Sequence, residues 1–240
     1  MPTASFSRHL QLDGVRNLRD IGGYPTRDGR HTRWGTVYRA DSPHRLTVDG
    51  RRFLIEKGVR AFIDLRRPSE MATAPYAFDA DGLITVALPI FDDAPATGPR
   101  SLEEVYRHML IERQDRLALI LRRLADSLPA VVHCTAGKDR TGIVIALVLS
   151  LAGVPDELIA EDYALTSAAQ SDGYWDEARQ RAAAAGIPWE EYQQLLICPP
   201  ELMLSTLAFV RDEFGDTLAY LRRAGLTDDE LARLRAAIVA

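Results

Sequence analysis

The stretch AVVHCTAGKDRTGIVIALVLSLAGV, residues 130–154, decides the fold. Its β-branched start, 131–133, predicts a buried strand, and its second apolar run predicts a buried helix that begins near Arg140. Residues 134–140 connect the two, with small side chains at their centre. They therefore predict a strand-to-helix turn, which is where open α/β sheets bind their ligands.

The chain repeats this alternation of strands and helices up to Val154. Strand composition marks four segments: 36–39, 59–65, 83–90 and 131–134. Helical spacing fills the intervals between them, with one apolar face that runs through 101–127. This order predicts an α/β fold with a mostly parallel central sheet flanked by helices.

After Val154 nearly every segment predicts helix, and Gly or Pro residues separate one helix from the next. The predicted helices are 156–169, 175–185, 201–213, 216–224 and 228–240. No linker rich in Pro, Gly and Ser precedes this part of the chain. We therefore expect a single domain over 1–240, with an α/β core over 1–154 and a helical elaboration over 155–240 on the same core.

Composition narrows the class of protein. A chain of 240 residues that is 47% hydrophobic can bury a substantial core. The net charge of −5 argues against general nucleic-acid binding, which usually shows as a basic surface.

Cys134 and Cys198 cannot form a disulfide framework, and no His/Cys cluster has the spacing of zinc ligands. No signal peptide is recognised, and the longest apolar run, 143–154, is too short to span a membrane. We therefore expect a cytoplasmic protein without a transmembrane segment, with secretion that uses no cleaved signal peptide as the alternative.

The turn over 134–140 has the composition of an anion site that holds a nucleophile. Backbone amides in such a turn and the N-terminus of the following helix attract an anion with several oxygens. Arg140 adds a forked donor that suits a phosphoryl group. The same positive field stabilises a thiolate at Cys134, which would then be aimed at phosphorus, and the Thr141 hydroxyl can donate to the sulfur. A lone buried cysteine is more often a small core residue, but its spacing from Arg140 with Gly137 between favours the nucleophile.

The segment HCTAGKDRTG, residues 133–142, resembles the signature loop of the cysteine-dependent protein tyrosine phosphatase superfamily. It is most similar to a bacterial group that includes mycobacterial protein tyrosine phosphatase B. Four other blocks agree: NLRDIGGY (17–24), YRAD (38–41), IDLRRPSE (63–70) and FGDTLAYLRRAGLTDDELARLR (214–235).

The resemblance implies a phosphatase that needs no metal or cofactor and works through a phosphocysteine intermediate. It makes Cys134 the nucleophile and Arg140 a catalytic, phosphate-binding side chain. The remaining phosphate-binding positions are Thr135, Ala136, Gly137, Lys138 and Asp139. A bound phosphate or sulfate is expected in this loop.

A phosphate monoester also needs a proton for its leaving oxygen, and a carboxylic acid is the usual donor. We expect Asp139, inside the loop, to be this acid, with Asp64 as the next candidate. An arginine-pairing role is an equally good interpretation of Asp64. Asp92 or Asp93 offers a further alternative, since both start the loop predicted over 91–100, at the sheet edge that carries Cys134.

The substrate remains open at this point. We expect a phosphotyrosine-containing protein, with dual specificity as an extension. Lys138 matches a feature of phosphoinositide phosphatases, so a phosphoinositide or inositol phosphate is the alternative substrate unless Lys138 simply faces solvent. A phosphate-binding module with weak turnover and a sulfur-transfer enzyme are the remaining alternatives.

Two further predictions concern supporting residues. Residues 17–23 predict a structural turn that supports the signature loop, with Arg19 and Asp20 paired. Cys198 is expected to be a core residue, with a redox role against Cys134 as the alternative.

Overall fold

The structure is a computed structural model that describes residues 7–76, 78, 82–93, 101–169 and 172–240. Its centre is a five-stranded sheet with the order β1-β2-β5-β3-β4. The strands are β1 (Arg19–Asp20), β2 (Val37–Ala40), β3 (Ala61–Asp64), β4 (Ile84–Ala87) and β5 (Ala130–His133). β2, β5, β3 and β4 run parallel, and β1 is antiparallel to β2. The predicted mostly parallel sheet flanked by helices is confirmed.

Helices cover the sheet and make up most of the chain after the last strand. They are α1 (Val48–Glu56), α2 (Pro68–Thr73), α3 (Leu102–Glu112), α4 (Gln114–Ser127), α5 (Asp139–Ala152), α6 (Asp156–Ala164), α7 (Asp172–Ala185), α8 (Trp189–Gln194), α9 (Pro200–Phe214), α10 (Thr217–Arg223) and α11 (Asp228–Ile238). A 3-10 helix, Leu165–Ala169, follows α6. The apolar face predicted through 101–127 is divided between α3 and α4, because Arg113 leaves helical geometry at φ −125°.

The element that organises the core is α5. Apart from its first two residues and Ser150, its side chains are buried, so this helix is covered on all sides. It ends at Gly153, whose φ of +92° is the left-handed conformation that commonly closes a helix. β5 lies at the middle of the sheet and is fully buried, so the turn from β5 into α5 is fixed by the most buried part of the molecule.

The helices beyond α5 pack on the same apolar cluster as the sheet. This cluster includes Val132 of β5, Val148 of α5, Met203 of α9 and Leu234 of α11. A separate small cluster, Tyr174, Ala178 and Leu196, joins α7 to α8. None of the helices in the described part of the chain is both long enough and apolar enough to cross a membrane.

Candidate active site

The signature loop, residues 134–140, connects β5 to the first turn of α5. Cys134 is 2% exposed and lines a cavity of about 610 Å³. Gly137 has φ +65°, and a Cβ at this position would lie 2.2 Å from the carbonyl oxygen of Ala40. Only glycine fits, because the loop takes the left-handed backbone region while it packs against the end of β2.

Arg140 is held in a fork-to-fork ion pair with Glu70 of α2. Its Nη1 lies 2.5 Å from Glu70 Oε2, and its Nη2 lies 2.9 Å from Oε1. The Arg140 Nη2 also donates to Thr135 Oγ1 at 3.2 Å, and the Thr135 hydroxyl donates to Glu70. The guanidinium is thereby fixed at the cavity, where Arg140, Thr135 and Cys134 all form part of the lining.

The ionised forms of Arg140 and Glu70 stabilise each other. Burial opposes the charged form of Arg140, but the neighbouring Cys134 and the Glu70 carboxylate together raise its pKa. Burial likewise opposes ionisation of Glu70, yet the bonds from Arg140 outweigh it and lower its pKa to about 2. Sequence reasoning missed Glu70, although it ends the IDLRRPSE block. Its capping contact to the Arg67 N–H, 2.7 Å, identifies a helix start but not the partner seventy residues away.

Asp139 lies on the cavity wall with its side chain 32% exposed. Its Oδ1 accepts from the Tyr106 hydroxyl at 2.7 Å and lies 3.1 Å from Lys138 Nζ. Burial, followed by the Asp139 carboxylate, raises the pKa of Tyr106, so this hydroxyl stays protonated and can donate. The Tyr106 oxygen also contacts the Tyr163 hydroxyl at 2.7 Å. These contacts fix one carboxylate oxygen of Asp139 beside Cys134 and Arg140.

Asp64 has a different environment. It is 0% exposed, and Arg66 donates to it through Nε at 3.0 Å and Nη2 at 2.8 Å. The Tyr76 hydroxyl donates to Asp64 Oδ2 at 2.6 Å. Burial opposes ionisation, but the bonds from Arg66 dominate and lower the Asp64 pKa. Asp64 is not part of the lining of the cavity described here, which favours its interpretation as the partner of an arginine.

His133 links this buried group to the nucleophile. Its Nε2 lies 2.5 Å from the Tyr76 hydroxyl oxygen, and its Nδ1 lies 3.2 Å from the carbonyl oxygen of Cys134. Complete burial lowers the pKa of His133 to about 4, so the ring is neutral at physiological pH. The enclosed imidazole therefore lies between the Tyr76 hydroxyl and the main chain at Cys134.

Lys138 is 1% exposed and does not face solvent, which removes one of the two interpretations of this residue. Its Nζ donates to the carbonyl oxygen of Leu195, directly after α8, at 2.5 Å. Together with the contact to Asp139, this bond uses the ammonium to join the signature loop to the end of α8.

The remaining acid candidates lie outside the cavity lining of the described residues. Asp92 is 65% exposed and lies 3.8 Å from Arg116. Asp93 accepts from the Ser69 N–H at 3.0 Å. Of the loop predicted over 91–100, residues 94–100 lie outside the described part of the chain.

The upper walls of the cavity come from three helices. Val105 and Met109 of α3 supply an apolar side, and Tyr174 of α7 and Tyr192 of α8 supply an aromatic side. Arg181 of α7 adds a positive charge at the wall. The cavity therefore combines the polar, charged residues of the loop with apolar and aromatic residues of the helices, which suits an anionic group attached to an aromatic or aliphatic body.

Residues 17–23 support the loop as predicted, through the Asn17 amide, which donates to Gly137 O at 3.2 Å, but their middle is the strand β1 and not a turn. The predicted pairing of Arg19 with Asp20 is wrong. Successive residues of a strand point to opposite faces, and both residues belong to β1. Arg19 pairs with Asp162 at 3.1 Å, while Asp20 accepts from the Gly35 N–H at 2.7 Å.

Two further expectations concern buried groups. The Thr141 hydroxyl is fully buried and makes no hydrogen bond within the described residues, so its donation to sulfur stays a prediction. Cys198 is 3% exposed, in keeping with a core residue, and burial raises the pKa of its thiol. Its redox role is untested.

Known proteins match this chain along most of its length. A candidate tyrosine-protein phosphatase of Cupriavidus necator is 27% identical over 95% of this chain and 88% of its own. A tyrosine-protein phosphatase of Nostoc commune is 28% identical over 80% of this chain and 70% of its own. The triple specificity protein phosphatase PtpB of Mycobacterium tuberculosis is 25% identical over 95% of this chain and 98% of its own.

Among solved structures, TpbA of P. aeruginosa in complex with phosphotyrosine is 18% identical, covers 80% of this chain and 97% of that chain, and has a TM-score of 0.40. The sequence model of the tyrosine phosphatase family matches residues 10–240. Since that match includes the whole sheet, the signature loop and the helices that follow, the chain belongs to the tyrosine phosphatase family.

Proposed function

We propose that this chain hydrolyses phosphotyrosine in proteins through a phosphocysteine intermediate on Cys134. The observation that carries the proposal is the convergence of Cys134, the Arg140–Glu70 pair and Asp139 on one cavity at the start of α5. A thiolate, a fixed guanidinium and a carboxyl group in one cavity are the components that a phosphomonoester hydrolase of this kind needs.

The reaction has two steps. The Cys134 thiolate attacks phosphorus, the bond from phosphorus to the aryl oxygen breaks, and the leaving oxygen takes a proton from a carboxylic acid. Water then attacks phosphorus, the sulfur–phosphorus bond breaks, and inorganic phosphate leaves with the thiolate restored. Arg140 and the amides of residues 135–140 hold the three non-bridging oxygens as charge shifts between sulfur and the leaving group.

Asp139 is our proposed acid in the first step and base in the second. Its partial exposure and its position in the lining, beside Cys134, support this role. For Asp64 we propose a positioning role. The bonds from Arg66 and Tyr76 support it, because they use both carboxylate oxygens in the interior.

The walls of the cavity support an aromatic phosphoester. Tyr174 and Tyr192 offer ring contacts to a phenolic phosphate that a serine phosphate would not use. The name of the Mycobacterium tuberculosis relative includes triple specificity. Phosphoserine and phosphoinositide substrates, the alternatives that the sequence leaves open, belong in the test. The two unpaired cysteines support a reducing compartment such as the cytoplasm.

Activity of purified protein in the presence of EDTA tests the proposal. The substrates are a phosphotyrosine peptide, a phosphoserine peptide and a phosphoinositide, each compared with the Cys134→Ser variant. We expect turnover of the phosphotyrosine peptide that EDTA does not affect and that Cys134→Ser abolishes. Phosphate release that survives loss of the thiol would overturn the mechanism. Binding of phosphate without turnover would support a binding module, and cyanide-dependent sulfur transfer from thiosulfate would support a sulfurtransferase.

A further inference from the structure

A buried ion triad lies against the signature loop. Arg19, Arg39 and Asp162 are each at most 1% exposed. Arg19 Nε lies 3.1 Å from Asp162 Oδ1, and Arg39 Nη1 lies 2.6 Å from Asp162 Oδ2. β1 and β2 supply the arginines, and α6, from the helical part of the chain, supplies the aspartate.

The triad holds more positive charge than packing alone requires. Burial opposes ionisation of Asp162, but its two arginines lower the pKa of this carboxyl far below its usual range. Burial and repulsion from Arg39 lower the pKa of Arg19 to about 10. A single arginine would satisfy Asp162, and each further buried charge costs desolvation energy. Arg39 Nε is also buried without a hydrogen-bond partner in the described part of the chain. A purely structural role does not account for the second cation.

Arg39 has one contact that Arg19 lacks. Its Nη2 donates to the carbonyl oxygen of Gly137 at 2.8 Å. The Asn17 amide donates to the same oxygen at 3.2 Å and to Ala136 O at 3.4 Å. Arg39 is absent from the lining of the cavity, so it acts on the loop and not on a bound substrate.

These bonds determine which way two loop amides point. A trans peptide group is planar, so its carbonyl and its N–H point in opposite directions. When Arg39 and Asn17 hold the carbonyls of Ala136 and Gly137, the N–H groups of Gly137 and Lys138 are turned away from them. An anion held by backbone amides needs this orientation before it arrives, because preorganised donors avoid the cost of rearrangement.

We propose that Arg39, held in place by Asp162, is a positioning residue for the phosphate-binding loop: it orients the Gly137–Lys138 peptide group and adds a buried positive charge behind the phosphate. The inference rests on the proposed function, since it assumes that the loop binds a phosphoryl group. Arg39 would raise affinity for the dianion and for the transition state without touching either.

The test compares Arg39→Met with Arg19→Met. Each variant removes one buried arginine and leaves one arginine paired with Asp162, so the change in charge and the remaining ion pair are matched. Only Arg39→Met removes a direct bond to the loop. Arg39→Lys keeps the charge but cannot bond to Asp162 and Gly137 with the same fork. Asn17→Gly tests the second donor, since glycine tolerates the φ of +56° found at Asn17.

Binding of inorganic phosphate is measured by calorimetry in the Cys134→Ser background, and kcat and KM are measured in the active background. We expect Arg39→Met to weaken phosphate binding and to lower kcat by about 10- to 100-fold, as loss of supporting contacts does at other preorganised sites. Arg39→Lys should retain part of both. Arg19→Met should lower phosphate binding and kcat less than Arg39→Met does, although it lowers the melting temperature by as much or more.

Equal losses of phosphate binding in Arg39→Met and Arg19→Met would overturn the inference, because Arg19, within the described residues, reaches the loop only through the Asn17 side chain, and the direct bond from Arg39 to Gly137 would then add nothing. Unchanged phosphate binding in Arg39→Met would also overturn it. If Arg39→Met does not fold, Arg39→Lys decides: wild-type phosphate affinity in that folded variant contradicts a role for the forked bonds of Arg39. The calorimetry needs no turnover, so a failure of the proposed hydrolysis with intact, Arg39-dependent phosphate binding would be recognised as a separate result.

Discussion

Burial separates Asp139, the first candidate for the general acid, from Asp64, the second. Asp64 ends an apolar run and Asp139 follows Lys138 in the signature loop, but each precedes an arginine by one or two positions. The structure encloses Asp64 with Arg66 and leaves Asp139 at the cavity wall. An enclosed, paired carboxylate is costly to protonate and has no path to a substrate, whereas a partly exposed one can exchange protons with it.

Asp139→Asn tests the proposed acid. Asparagine keeps the shape and an acceptor for Tyr106 but cannot transfer a proton. We expect kcat to fall by about 100- to 10,000-fold, the usual contribution of general acid catalysis. The alkaline decline of the kcat–pH profile should vanish, and the loss should be largest for substrates with poor leaving groups.

Asp64→Asn is the matched control. We expect it to lower the free energy of unfolding, since it leaves the Arg66 guanidinium buried without a charged partner. The alkaline decline of its kcat–pH profile should remain. A profile that keeps its alkaline limb in Asp139→Asn but loses it in Asp64→Asn would reverse the two roles.

The buried His133 makes stability depend on pH. Its pKa is lowered by burial from 6.5 to about 4, so between these values the unfolded chain binds a proton that the folded chain does not. Stability should therefore be highest above about pH 6.5 and fall on acidification to about pH 4, by at most about 1.4 kcal/mol per pH unit from this group.

Denaturant unfolding of wild type and His133→Gln across this range measures the effect. His9 and His44 have pKa values lowered in the same direction, mainly by burial, so the difference between the two proteins isolates His133. A difference that stays constant with pH would contradict a neutral, buried His133.

Site residues that lie close together in the sequence could be predicted, and those that lie far apart could not. Cys134, Gly137 and Arg140 lie within one loop, so their spacing alone predicted a common site. Glu70 and Asp162 reach the loop or its supports only through the fold, and a single sequence holds no sign that carboxylates so distant meet these arginines. The sequence also does not show which charged side chains are buried, which is why it could not decide whether Lys138 faces solvent.

At the scale of elements, the patterns that involve many residues were predicted best. α5 and β5 were clear because their apolar runs are continuous, and the positions of α9 and α11 agree with the predicted helices to within two residues. β1 was missed because a strand of two residues has no periodicity to detect. The strand predicted over 83–90 is reduced to β4, an edge strand whose side chains are largely exposed.

The junction between α5 and the end of α8 bears on substrate class. Lys138 Nζ is buried and contacts Leu195 O and Asp139, which favours a role in holding the loop over selection of a second phosphate on a lipid head group. We expect Lys138→Met to lower turnover of a phosphotyrosine peptide and of a soluble phosphoinositide by similar factors, because it loosens the loop for both.

Lys57→Met is the control, since Lys57 is the only other lysine of the chain and is exposed directly after α1. It should leave both activities at wild-type values. A loss confined to the phosphoinositide in Lys138→Met would instead assign Lys138 to recognition of that substrate.

At the scale of the whole molecule, the helical part completes the site that the α/β part begins. Asp162 of α6 anchors Arg39, Leu195 accepts from Lys138, and Tyr174 lines the cavity. The apolar cluster around α5 is also continuous from Ile21 to Val239. We therefore propose that 1–154 and 155–240 form one cooperative unit, although the sequence changes character between them.

Coincident unfolding transitions test this proposal. Far-UV circular dichroism reports mainly on helices, many of which follow residue 154, whereas Trp34 reports on the α/β part. In a chain with Trp175→Phe and Trp189→Phe, Trp34 is the only tryptophan left. Because buried charges and a shared core join the two parts, we expect both probes to give one urea midpoint and one slope. Two separated midpoints, with helical signal lost while the environment of Trp34 is still native, would mean that the helical part is a domain of its own.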